Sequence, residues 1–385
     1  MAKSTTACWD GSVNWPSLAG RWLFGVSLAV LPLLGFSQAA STGAASSQLG
    51  RTAASAPRWL PVPVLAGRLT AKDIGLVINT ADPYSVEVGA FYARARRLSP
   101  RQVLRIEMPV KPVLSPEEFQ PVKDAIEARF GAKTQALALA WTLPYAVHCN
   151  SITAAVTLGF DAGLCAQTCA PSRLSPYFNA RTFRPQTDLK LRPSMLLAAP
   201  DAAAAKRLIQ RGVKSDRSLG LRGAPPVHAH FVVTADRARS VRAPLYPPPG
   251  AMRGTGIVVH VDKASAVANA SRVLLYQTGA TRVDKLDALA WVPGALADHL
   301  TSFGGQLDGR NGQMNVLEWI ASGVTASYGT VSEPCSHQQK FPHPQVLLLN
   351  YAQGSTAIEA YWKSVAWPQQ GVFVGEPLAA PFARR

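Results

Sequence analysis

The sequence predicts an α/β fold, a largely parallel sheet flanked by helices and interrupted by irregular loop insertions. Three observations lead there. Short apolar runs of strand length alternate with helical patterns at roughly 30-residue intervals, the rhythm of βαβ units. The helix starts carry capping signals that separate them from the strands. The chain holds 48% hydrophobic and 16% charged residues, enough to fill the core that such a sheet needs and the opposite of a disordered balance.

Taken in order, residues 74–79 form an apolar run closed by Thr80-Ala81-Asp82-Pro83. Residues 85–97 place Val86, Val88, Gly89, Tyr92 and Ala93 at helical spacing, with arginines gathered at the end the helix dipole favours. A second strand follows at 103–108. Ser115-Pro116-Glu117-Glu118 opens a helix with an N-cap, a first-turn proline and a capping-box glutamate, running to about Phe130. Further strands are expected at 136–141, 194–199, 228–234, 256–261, 273–276, 324–331 and 372–375. Helices are expected at 201–210, with Asp201 as cap, at 315–322, and over most of 346–365, where Gly354 is a potential break. Residues 163–193 and 241–252 read as loop insertions, so residues 70–385 are expected to be one domain.

The N-terminus points to export. Arg21 precedes an apolar run at 23–36, and Ser37-Gln38-Ala39 is a small-x-small cleavage pattern, so residues 1–39 read as a signal peptide. The run is shorter than the roughly 20 residues of a membrane-spanning helix, and no later segment reaches that length. Residues 40–69, rich at first in Ala, Ser and Gly, are expected to be flexible. The expected location is periplasmic or extracellular, with no integral membrane segment after cleavage.

Charge narrows the partners. There are 39 Lys+Arg against 23 Asp+Glu, a net +16. That balance favours polyanions, here an acidic exopolysaccharide or another anionic envelope polymer. No run of like charge or basic-aromatic motif marks specific nucleic-acid binding. The first strand is followed by no glycine-rich phosphate loop, which leaves no nucleotide cofactor to expect.

Four cysteines remain after the signal: Cys149, Cys165, Cys169 and Cys335. In an oxidising compartment they suggest two disulfides with three possible pairings. Cys149 and Cys335 both follow predicted strands, which favours pairing them and leaves Cys165 with Cys169. Cys165-x3-Cys169 with His148 or His337 is a rival zinc pattern, but structural zinc usually shows two such pairs. His228-x-His230 with His260-x-Asp262 is a second metal pattern, against which strand alternation puts both members of the first pair on one face. No metal is expected.

In an open parallel sheet, ligands bind outside the carboxyl ends of the strands. That rule collects Asp82, Asn150, Ser151, His299, Ser302 and Glu333 on one edge. Ser302-Phe303-Gly304 is half of a nucleophile elbow, with Leu300 where the first glycine belongs. Ser302 as nucleophile, His299 as base and Glu333 as orienting acid form the hydrolase candidate, with Asp298 and His337 as further partners. Asp82, Asn150 and Ser151 are the binding candidates. The rival reading makes Ser302 a turn residue, Asn150 and Ser151 helix caps, and Glu333 an arginine partner.

Several stretches resemble an uncharacterised family of exported bacterial proteins from species carrying the exosortase sorting system. They are Leu76-Val77-Ile78-Asn79 with Ser85 and Tyr92, Cys149-Asn150-Ser151-Ile152-Thr153, residues 294–305, Ser327 through Cys335, and Phe373-Val374-Gly375-Glu376-Pro377-Leu378. The resemblance covers about residue 70 to the end and implies a role in envelope or exopolysaccharide biology. That family in turn looks like the caspase–gingipain class, which implies a caspase-like fold with a catalytic His after one strand and a Cys after the next. Here the strand at 273–276 is followed by Gln277-Thr278-Gly279, without His, and Ser302 stands where the class has Cys. The resemblance therefore implies the fold and a cleft without cysteine-peptidase chemistry. The function expected is binding or processing of an envelope polymer or protein. The alternatives are a serine hydrolase on Ser302 and His299, and a non-catalytic acidic-polysaccharide binding module.

Overall fold

A computed structural model describes residues 58–384. The expected signal segment and the start of the expected flexible stretch lie outside them. Ile74, with its neighbours to Asn79, forms β1 (Ile74–Asn79), buried at every position, as befits a strand covered on both faces. Asp82 then caps α1 (Pro83–Ala95), its carboxylate accepting from the Tyr84 amide at 3.0 Å. After β2 (Val103–Ile106) and β3 (Val113–Leu114), the Ser115–Glu118 capping box forms as its spacing indicates and opens α2 (Pro116–Arg129). Then come β4 (Ala136–Leu139), β5 (Ala146–Val147), β6 (Asn150–Ser151) and three short helices, α3 (Ile152–Leu158), α4 (Ala162–Ala166) and α5 (Pro185–Leu189). β7 (Ser194–Leu196) leads to α6 (Ala202–Ser215), which Asp201 caps by accepting from Ala204 N.

The later half begins with β8 (Val227–Val233), β9 (Gly250–Met252), β10 (Ile257–Lys263) and β11 (Val273–Gly279). Next are β12 (Trp291–Leu300), α7 (Val316–Ser322) and β13 (Ala326–Thr330), then α8 (Pro344–Ala352), α9 (Ala357–Ser364) and β14 (Gly371–Gly375). The single helical pattern expected over 346–365 is two helices. Gly354, at φ 100°, takes the left-handed backbone that breaks them, and Thr356 starts the second with a capping box.

Eleven strands form one sheet in the order β2-β1-β4-β7-β14-β13-β12-β11-β8-β10-β9, and β3-β5-β6 form a small second one. Eight of the ten neighbouring pairs in the large sheet are parallel; β13–β14 and β9–β10 are antiparallel. The β13–β14 pair divides the sheet. β1, β2, β4, β7 and β14 run one way, and β13, β12, β11, β8 and β10 run the other. The sheet is thus two parallel blocks of opposite sense joined at their inner strands. Their carboxyl ends lie on opposite edges, which the expectation of a single carboxyl edge did not allow for.

Packing joins the blocks. Trp362 on α9 stacks on Phe373 of β14 at 4.3 Å, and a continuous apolar core extends from β1 to β12. Arg96, at the end of α1, donates to Glu376 just past β14 at 2.9 and 2.6 Å, and to Asp216. Gly212 on α6 lets this buried cluster pass, because a side chain there would meet Glu376 at 2.4 Å. The strap 58–69 lies against the later helices. Leu65 N donates to Gln353 at 3.2 Å and Leu69 N to Glu359 at 3.1 Å, tying it to α8 and α9. Among the described residues no helix is long and apolar enough to cross a membrane.

Candidate functional site

The second block's carboxyl edge gathers four of the six site residues expected from sequence, and their polar atoms are engaged in holding the corner together. Ser151 Oγ caps α3 by accepting from Ala154 N at 3.0 Å, and donates to Gly371 O at 2.6 Å. Asn150 Nδ2 donates to Asp161 O at 3.0 Å, while its Oδ1 accepts from Asp161 N and from Gln369 Nε2. Glu333 Oε1 accepts from Cys335 N at 2.8 Å. Ser302 meets this corner through its carbonyl, which accepts from Thr330 Oγ1 at 2.9 Å.

His299 lies inside the protein, fully buried. Trp319 Nε1 donates to its Nδ1 at 2.9 Å, so the ring proton sits on Nε2, which donates to Met314 O at 3.0 Å. Burial pushes its pKa down to about 4. Both nitrogens are engaged and neither by Ser302, so this imidazole has no lone pair to offer a serine. Asp298 is bound instead to Arg242 at 2.6 Å and Gln277 at 2.7 Å, deep in the core. His337 Nε2 pairs with Cys169 O.

The cysteines correct the favoured pairing. Cys149 is bonded to Cys165 and Cys169 to Cys335, with Cα separations of 5.3 and 5.2 Å. The physical reason is the Asp161-capped turn of α4. Asn150 clasps Asp161 and so carries Cys165 back to its neighbour Cys149, leaving Cys169 to reach Cys335. His148 lies against the first pair, its ring nitrogen within 4.8 Å of both sulfurs. While the disulfides are closed, those sulfurs are not available as zinc thiolates.

Asp82 alone lies on the first block's carboxyl edge, and there a cavity of about 550 Å³ opens. The ends of β1, β4 and β7 supply Asp82, Tyr84, Thr142 and Leu143, and the segment after β12 supplies Leu307, Asp308 and Glu318. Tyr84 is fixed by donating from its hydroxyl to Leu197 O at 2.8 Å, and Thr142 Oγ1 donates to Ala199 O at 3.1 Å. Three carboxylates thus face a cleft with largely apolar walls in a strongly basic protein. Burial raises the Asp82 pKa, against the backbone donors of Tyr84 and Ser85. Asp308 is the exceptional group. Both its oxygens are enclosed without an aligned hydrogen-bond donor among the described residues, although Arg310 Nε lies 2.9 Å from Oδ2. That arginine is 74% exposed, so the ion pair is a weak one. Burial, then the charge of Asp308 and a poorly aligned hydrogen bond to it, pushes the Tyr145 hydroxyl pKa up, so Tyr145 also stands against this carboxylate.

Asp308, Glu318, Tyr84 and Thr142 were not singled out from sequence. Asp308-Gly309 reads locally as a turn, and Glu318 reads as a capping-box residue, which it also is, accepting from Asn315 N at 3.3 Å. Only the return of α7 across the sheet brings them to the end of β1.

Comparison of the chain with protein-family models, with curated proteins and with solved structures gave no match.

Proposed function

We propose that this chain is an exported, envelope-associated protein whose acidic cleft binds a cationic group, an arginine or amine, on an envelope protein or polymer. One observation carries the reading: Asp308 holds a carboxylate in the cleft wall with no aligned donor, beside Asp82 and Glu318. An enclosed carboxylate whose paired cation is an exposed arginine is only partly compensated, and a ligand cation would complete its pairing. The two disulfides support the export reading. The stretches resembling the exosortase-associated family support the envelope setting, and the caspase-like kinship belongs to the same proposal.

The test is calorimetric titration with a short arginine-bearing peptide and its citrulline analogue, which keeps the shape and removes the charge. The arginine peptide is expected to bind about 10- to 100-fold more tightly, the worth of a charge-assisted hydrogen bond. Asp308→Asn is expected to erase that preference. Equal binding of the two peptides defeats the reading.

A second reading, retention on an acidic exopolysaccharide, rests on the net charge of +16. It concerns the outer surface and predicts a different response. Retention on an immobilised acidic polysaccharide should weaken steeply with salt and be untouched by Asp308→Asn.

A further inference from the structure

The second block carries a cluster that the cleft does not use. β8 and β10 pair in parallel with His230 opposite His260, so alternation sets His228, His230, His260 and Asp262 on one face. The opposite face, with Ala229, Phe231, Ile257 and Val259, is buried in the main core. On the imidazole face, His228 Nδ1 lies 2.9 Å from His260 Nε2. One strand step along, His230 Nδ1 lies 3.1 Å from Asp262 Oδ2, and the rings of His230 and His260 stack at 4.6 Å and 12°.

We propose that His228 and His260 are ligands of a divalent late-transition metal ion, zinc being the reference case, with the His230–Asp262 pair as its supporting shell. Geometry is the first argument. Two nitrogens bound tetrahedrally to one zinc at about 2.05 Å stand about 3.3 Å apart, so the observed pair must open by only a few tenths of an ångström. Ligand chemistry is the second, because imidazole selects zinc, copper or nickel over magnesium or calcium. The third is the second shell. Asp262 holds the His230 ring, and that ring stacks on the imidazole of the ligand His260 and so fixes its position. Arg272 adds positive charge beside His228, but its guanidinium is turned away onto Pro225 O and Pro226 O. Asp262 supplies the opposing negative charge. The two protein ligands leave coordination positions open to water or to a small anionic ligand.

The experiment titrates the oxidised, disulfide-bonded protein with Zn²⁺ alone, followed by calorimetry and by ¹⁵N NMR of the imidazoles. Saturable uptake of a single ion is expected, with the His228 and His260 nitrogens shifting and those of His337 unmoved. His228→Ala with His260→Ala should abolish the uptake, while Asp262→Asn weakens it about 10- to 100-fold. The NMR arm reads the wild-type protein, so it decides the matter even if the double variant does not fold. No saturable uptake, uptake that survives in the folded double variant, or unshifted His228 and His260 nitrogens each overturn the assignment.

Discussion

The two parallel blocks of the sheet follow the same rules and end differently. The first block, β2-β1-β4-β7-β14, opens at its carboxyl edge into a cleft with an enclosed carboxylate, Asp308. The corresponding edge of the second block opens into a cavity of about 620 Å³ farther along, at the ends of β8, β10 and β11, but is closed after β12 and β13. There Gln370 bridges Ser332 and Glu333, Ser332 Oγ holds Cys149 O at 2.7 Å, and the Cys169–Cys335 bond fastens the outer loop. The contrast shows that the carboxyl-end rule for ligand sites applies to each parallel block separately. A sheet of two opposed blocks has two such edges, and only one need be a site.

Four measurements can break or sharpen that contrast. The largest effect concerns the staples of the closed edge. Cys169–Cys335 spans 166 residues and Cys149–Cys165 spans 16. On the chain-entropy account, the longer bridge contributes about 5 kcal/mol and the shorter about 3 kcal/mol. Denaturant unfolding of the two double-serine variants should therefore find Cys169→Ser with Cys335→Ser the more damaging. The reverse order would locate the stapling in the short loop.

Next comes the sealed interior behind that edge. Arg242 and Asp298 are 1% and 0% exposed and pair at 2.6 Å. Arg242→Met leaves a buried carboxylate without its cation, a loss expected at about 3–5 kcal/mol in chemical denaturation. A much smaller loss would mean that water reaches Asp298.

His299 supplies a pH signature. Burial depresses its folded pKa to about 4 from the ordinary 6.5 of a histidine. A depressed histidine is neutral in the fold, so above pH 6.5 it has no effect on the pH dependence. As pH falls from 6.5 towards 4, the unfolded chain gains the proton first and stability is lost, about 3 kcal/mol in all. Stability measured across that window should decline in the wild type and decline less in His299→Gln. Equal slopes would mean that His299 is protonated within the fold.

The smallest effect has the opposite sign. Asp308→Asn relieves an enclosed charge, so the fold is expected to gain up to about 1 kcal/mol, read as a raised Tm, while losing the arginine-peptide preference. Destabilisation by that variant would make Asp308 a structural residue, and the two edges would then be alike.

The sequence by itself determined the local grammar. Strands such as β1, β8 and β11 are legible as apolar runs, and the caps at Ser115 and Asp201 are legible because a cap needs only three or four consecutive residues. β12 was not read as a strand in its own right, since Pro293 and Gly294 sit within it and burial from Gly294 onward removes the alternation. The cysteines announced disulfides but not partners, because pairing depends on how the turn at Asp161 folds back. The sense of each block was likewise decided only in the tertiary structure. A long connection from β13 through α8 and α9 lets β14 return antiparallel to β13 and join β7 from the other side. No residue within β13 or β14 encodes that choice, which arises from packing α9 against the strand and burying Trp362 on Phe373. It is this single antiparallel contact that sends Asp82 to one edge and Ser302 with Glu333 to the other.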